Sequence, residues 1–170
     1  MKYAAIFMCL LVAAGFALGI YTYANARLTL VSVSVSTAQG VEKAAEVAAL
    51  QKAVDHNALA GTAYVDSLPG SSLDYKFETY SFRLKNGGLI DAEMVEVEPV
   101  PVEGDKLSYT ALDPAQANVN ATVPARGEQT VRCVVLSDAG QDELLRRQRQ
   151  FRVTYYLWGV AKTMTVGYRD

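Results

Sequence analysis

Hydrophobic and polar positions follow three regimes along this chain. The first has no polar face at all. Every residue from Ala4 to Ile20 is apolar or glycine, Tyr21, Thr22 and Tyr23 extend the run, and no charge follows Lys2 until Arg27. Coiled as a helix, such a run spans roughly 30 Å of hydrocarbon. Tyr21 and Tyr23 stand where interfacial aromatics are expected, and Arg27 reaches water beyond them. Residues 1–26 are therefore expected to be an N-terminal transmembrane anchor or a signal peptide. Ala24-Asn25-Ala26 matches the small-x-small pattern that precedes cleavage, whereas the apolar core exceeds an ordinary signal core. Lys2 and the free amine favour an inside N-terminus, which places residues 27–170 outside the cytoplasm. The expected location is the cell membrane, single-pass; the alternative is secretion. Gly15 and Gly19 form a small-xxx-small pair through which two such helices can approach as a homodimer, though glycine is common in membrane spans.

The second regime has period two. Leu28 to Val35 alternates apolar and hydroxyl residues, which predicts a half-buried strand starting almost at the end of the apolar run. The third has helical period. Over 41–57, Val41, Ala44, Ala45, Ala48, Ala49, Lys52 and Ala53 recur at three and four, beside a stripe of Val47, Leu50 and Val54. This predicts one amphipathic helix whose narrow alanine face packs on a sheet, ending near Asp55-His56-Asn57, with a cap near Thr37 or Gly40. Gly61, Pro69, Gly70 and Ser71 mark a loop, with a short strand over Thr62–Val65.

Period two then returns. Tyr75–Lys85 puts Tyr80, Phe82 and Leu84 on one face; Asn86-Gly87-Gly88 is a turn; Glu93–Val97 turns Val95 and Val97 inward and Glu96 and Glu98 outward. Pro99 and Pro101 are expected to stop pairing. Leu107–Leu112, Val119–Val123 and Gln129–Leu136 read as strands, with a turn at Pro124–Gly127. Asp138–Gln150 is a polar connection with one helical turn, and Phe151–Leu157 with Lys162–Tyr168 forms a hairpin around Trp158–Ala161. Strands at this spacing predict a mainly β chain, an antiparallel β-sandwich with the helix inserted between its first two strands.

Composition narrows the partners. Net charge is −2 with 20% charged and 51% hydrophobic residues, so a packed core is expected and a nucleic-acid partner is not. Cys9 lies in the apolar run and Cys133 in a strand, so neither a disulfide framework nor a zinc site is expected. No cofactor motif is present.

Phe82-Arg-Leu-Lys-Asn-Gly-Gly-Leu-Ile-Asp-Ala-Glu-Met-Val-Glu-Val resembles the middle of bacterial immunoglobulin-like adhesion and surface modules. Those carry a strand ending in x-Asn-x-Gly, a short crossing, and a strand opening Ala-x-x-Val-x-Val. Their later Pro-x-Gly turn is matched by Pro124-Ala-Arg-Gly127 before Thr130-Val-Arg-Cys-Val-Val. The architecture is also similar to uncharacterised single-span exported proteins of Gram-positive gut bacteria. The resemblance covers about residues 75–168 and implies a domain that binds, spaces or scaffolds, with no shared site residues.

Candidate chemistry is sparse. His56, the one histidine, sits at a helix end with no nucleophile beside it. Glu93, Glu96, Glu98, Glu103 and Asp105 cluster around one strand and loop; their spacing fits no calcium loop and nothing selects a pair for hydrolysis. Arg146, Arg147, Arg149 and Arg152 form a basic stretch that could meet anionic lipid or an acidic partner, or stay a solvated loop. Opposite charges before Asp105 and after Arg126 also suit pairing between strands. Tyr156 and Trp158, if exposed together, would suit a sugar or protein ligand. Asn120-Ala-Thr122 is a glycosylation pattern in a eukaryotic setting. The leading expectation is a membrane-anchored, non-enzymatic interaction or scaffolding module with a protein or cell-envelope partner. A secreted carbohydrate- or small-ligand-binding module is the alternative, and a hydrolase stands behind both.

Overall fold

The computed structural model describes residues 2–59, 61–111 and 121–168. Helix α1 (Lys2–Asn25) leads directly into strand β1 (Leu28–Gln39). A 3-10 turn (Gly40–Lys43) and helix α2 (Ala44–Asp55) follow, then β2 (Thr62–Ala63), β3 (Tyr75–Asn86), β4 (Ala92–Pro99), β5 (Asp105–Ala111), β6 (Ala121–Val123), β7 (Glu128–Asp138), α3 (Glu143–Arg147), β8 (Gln150–Leu157) and β9 (Val160–Gly167). Among the described residues the strands form two antiparallel sheets, ordered β1-β3-β7-β5-β2 and β6-β4-β8-β9.

The two sheets face each other over one core, so the chain is mainly β with a sandwich architecture. Tyr80, Phe82 and Leu84 of β3 and Val131, Cys133 and Val135 of β7 meet Val95, Val97, Phe151, Val153, Tyr155 and Leu157 from the other sheet. The alternation that marks these strands in the sequence is the alternation of their burial. Strand β7 breaks it: Val131–Ser137 is almost wholly buried, because a second, smaller core covers the outer face of its sheet. There Phe77, Leu107, Val134 and Leu136 pack beneath Val47, with Leu50 and Val54 beside it.

That packing corrects the expected face of α2. Ala44, Ala45, Ala48 and Ala49 are exposed, and the Val47 stripe is the one that docks. The larger side chains bury more apolar area than methyl groups do, so they set the orientation. The 3-10 turn replaces a side-chain cap: neither Gln39 nor Lys43 caps through its side chain. Gly40 is pressed into this corner, where a Cβ would stand 2.3 Å from the Ser72 carbonyl oxygen.

Other boundaries shift. Pro99 does not stop the ladder but closes it, pairing with Phe151 at the last position of β4, where a missing N–H costs least. A bulge in β4, between Ala92 and Val95 against β6 and between Glu93 and Glu96 against β8, places Met94 at φ 50°. The predicted hairpin loop Trp158–Ala161 contracts to Trp158-Gly159, since Val160 pairs with Leu157 and Ala161 with Tyr156. Leu112, Pro114, Val119 and Asn120 lie outside the described residues, and with Asn120 the glycosylation pattern.

Candidate functional site

Two constellations stand out, at opposite ends of the sandwich. Strand β3 ends at Asn86 and β8 at Leu157, and both ends lie beside α1; their starts, Tyr75 and Gln150, lie at the far end.

At the end beside α1 the helix is fused to the core. Ala26, one residue past α1, is 0% exposed and belongs to the main hydrophobic core with Leu28. A Cβ at Gly88 would stand 2.6 Å from the Ala26 Cα, so the loop after β3 closes on the junction in a way only glycine permits. The Gly87 N–H donates to the Arg27 carbonyl (3.3 Å), and the Leu28 N–H reaches the Tyr155 hydroxyl (3.4 Å). Helix α1 has no basic residue in its last turn. Lys162 of β9 supplies one from across the fold: its Nζ lies 3.4 Å from both the Tyr23 and Ala26 carbonyl oxygens and 4.2 Å from the Tyr23 ring centroid. An ammonium there binds the Ala26 carbonyl and the Tyr23 carbonyl, which also accepts from the Ala26 N–H (3.3 Å), and opposes the negative end of the dipole. Trp158 stacks on the other side of this junction, its ring 6.3 Å from that of Tyr23 with 18° between planes.

Beside Trp158 runs a shallow apolar groove, open to its surroundings, along the exposed face of α1 that carries Val12, Gly15, Phe16, Gly19, Ile20 and Tyr23. Those residues recur at three and four along α1 and so form one face of it. The groove therefore contains Gly15 and Gly19, with Trp158 at its upper rim. Tyr156 is not with them. It stands half-buried on the outer face of its sheet, opposite Glu93, so Tyr156 and Trp158 do not form the shared aromatic surface that the sequence suggested.

At the far end, charges are buried between the sheets. Arg149 is 0% exposed. Its Nη1 donates to Asp105 Oδ2 (2.6 Å) and its Nη2 to Asp105 Oδ1 (2.8 Å), with Glu78 Oε2 at 3.5 Å. Lys76 Nζ lies 3.4 Å from Glu78 Oε1 and donates to the Gln141 carbonyl (3.1 Å). The Tyr80 hydroxyl donates to Glu78 Oε2 (2.8 Å). Burial would lower the Arg149 pKa, but the bonds to Asp105 and the charges around it outweigh that and raise it. Burial pushes the Tyr80 phenol up, with Arg149 opposing and Glu78 adding to the rise. Two cations and two carboxylates thus face one another, bridging β3, β5 and the residue before β8, while Arg149 Nε keeps no hydrogen-bond partner among the described residues.

This corrects the reading of the arginine stretch. Arg149 is core, not surface. Arg146 and Arg147 both bond Glu143, and Arg146 reaches Thr37, so the stretch is tied into α3 and β1. Arg152 stays exposed, paired across the ladder with Glu98. Charges on the strands pair likewise at Arg83–Glu128 and Lys106–Asp138. The acidic cluster disperses: Asp105 turns inward while Glu93 and Glu96 stay on the wet face. Burial and the neighbouring Glu98 raise the Glu96 carboxyl. Among the described residues no group of three or more His, Cys, Asp or Glu could hold a metal ion. His56 Nδ1 lies 2.7 Å from the Lys52 carbonyl oxygen, so the proton sits on Nδ1 and the ring caps its own helix.

No family model matches the chain, and no curated protein matches it. Solved structures that it resembles include a yeast GGA1 GAE domain, at 9% identity over 58% of this chain and 92% of that one, TM-score 0.32. An uncharacterised β-sandwich protein from Clostridium difficile 630 is 11% identical over 83% of this chain and 85% of that one, TM-score 0.31. Helix Tyr3–Asn25 is long and apolar enough to cross a membrane, and the fold is mainly β in two antiparallel sheets.

Proposed function

We propose that this is a membrane-anchored extracytoplasmic protein in which α1 remains in the bilayer and an immunoglobulin-like sandwich serves, without catalysis, as an interaction or scaffolding module. The observation that carries this reading is the junction. Signal cleavage after Ala26 would remove a residue that fills the core against Gly88, the two carbonyls that Lys162 binds, and the ring that Trp158 stacks on. A disposable leader needs none of these contacts; an anchor that holds the domain at a fixed distance and tilt needs all of them. The non-enzymatic part is supported by the far-end charges, which are buried and ion-paired with one another, and by His56, which bonds its own helix.

The test is accessibility in intact cells. In a Cys9→Ser background the remaining Cys133 is buried, so a reporter such as Ala49→Cys on the exposed face of α2 is the reactive thiol. A membrane-impermeant maleimide should label it from outside. Labelling that appears only after lysis would place the domain in the cytoplasm and overturn the reading.

A further inference from the structure

We infer that the β8–β9 hairpin tip is a second membrane contact, with Trp158 set into the lipid interface beside the end of α1. The inference rests on the reading that α1 stays in a bilayer, and adds that the sandwich itself touches lipid.

The tip is built against local preference. Trp158 and Gly159 both have positive φ, 50° and 74°, which is the two-residue turn that favours Asn-Gly. A bulky aromatic in the left-handed region costs roughly 1 kcal/mol. Burial does not repay it, since Trp158 is 62% exposed. One face of the ring rests on Tyr23, and the remainder is open to whatever surrounds the tip.

Its depth says what receives it. Trp158 stacks on Tyr23 and shares a groove with Gly19 and Ile20, one turn further down α1, so it lies beside the apolar helix rather than above it. If α1 spans, Trp158 stands level with Tyr21 and Tyr23, where bilayers gather tryptophan and tyrosine. Val160, exposed, follows it in the tip, and Leu89, exposed, sits in the loop that closes on Ala26. Arg27 and Arg126 are exposed at the same end: Arg27 adjoins Ala26, and the Arg126 N–H bonds the Gly88 carbonyl. Exposed apolar tips with two arginines at the same end match a phospholipid surface, with acyl carbon for the apolar side chains and phosphate for the cations.

Trp158 is the only tryptophan in the chain, so its fluorescence reports on this site alone. The full chain is reconstituted into vesicles of phosphatidylcholine and phosphatidylglycerol, and vesicle flotation is read first. Trp158 emission should be blue-shifted from that of the protein unfolded in guanidinium. Lipid brominated on the upper acyl chain should remove most of it, and aqueous iodide little. A double variant, Trp158→Tyr with Tyr156→Trp, moves the indole to the outer face of the sheet; there iodide should quench and brominated lipid should not. Protein that floats while Trp158 is quenched by iodide and not by brominated lipid overturns the inference and leaves the anchor intact. Protection from both quenchers also overturns it, pointing to a second copy's helix in the groove. Failure to float overturns the anchoring reading itself.

Discussion

Replacing Arg149 by methionine should be among the most damaging single changes in the domain. The substitution leaves Asp105 and Glu78 buried, removing a bidentate pair at 2.6 and 2.8 Å and a second contact at 3.5 Å. Lys76 still faces Glu78, and among the described residues Asp105 keeps hydrogen bonds from the Val102 N–H and from Gln141. Breaking a fully buried ion pair from one side costs about 3–5 kcal/mol. Against a total of about 5–15 kcal/mol this is a large share, and at about 4 °C per kcal/mol it corresponds to a fall of roughly 12–20 °C in melting temperature. The damage is the orphaned carboxylate, not the lost bond. Arg149→Met combined with Asp105→Asn should therefore recover at least half of the loss, because the amide oxygen still accepts while the charge is gone. Denaturant titration of the full chain in detergent, followed by near-ultraviolet circular dichroism, measures both variants. A single variant within about 1 kcal/mol of the parent, or a double variant whose loss is the sum of the two singles, would refute the argument.

Further outcomes follow from the same contacts. Lys162→Met should loosen the end of α1 by about 1 kcal/mol and speed trypsin cleavage after Arg27, while Lys162→Arg keeps the charge and most of the protection. Gly88→Ala should cost about 1–3 kcal/mol, because its Cβ meets backbone at Ala26, whereas Gly140→Ala, with open space around it, should be close to neutral; equal thermal shifts would contradict the close approach. Burial raises the Cys133 thiol to about 12 and raises the phenols of Tyr80 and Tyr109. A raised folded-state pKa stabilises fully below the unfolded value and is lost as pH climbs, so stability should fall above pH ~9 for the thiol and more steeply above ~10 for the phenols, by up to ~1.4 kcal/mol per pH unit per group. Unfolding curves between those pH values that coincide would contradict this. In Cys9→Ser protein at pH ~8, Cys133 should resist alkylation until denaturant is added.

Much of the fold was legible because most strands have one wet face. Tyr80-Phe82-Leu84 and Phe151-Val153-Tyr155 announce their inner sides by parity alone. Parity also carried a signal that composition hid: Arg149 shares the odd register of Phe151 and Val153, so it points inward, while Arg152 points out. Its partner was not readable. A bulge between Asp105 and Leu107 switches Asp105 to the inner face, and bulges leave no mark in the alternation before the break. The docking face of α2 was misjudged because two stripes competed and only the sheet beneath shows which has depth to fill. Lys162 capping Tyr23 and Ala26 joins residues 139 and 136 positions apart, beyond any local pattern.

The central claim is that α1 is a working part of the mature protein, fused to the core through Ala26. Intact mass of the protein extracted from membranes tests it most directly. A species that still carries α1, with Ala24-Asn25-Ala26 uncut, is expected. A shorter species beginning at Arg27, released into the medium, would contradict it.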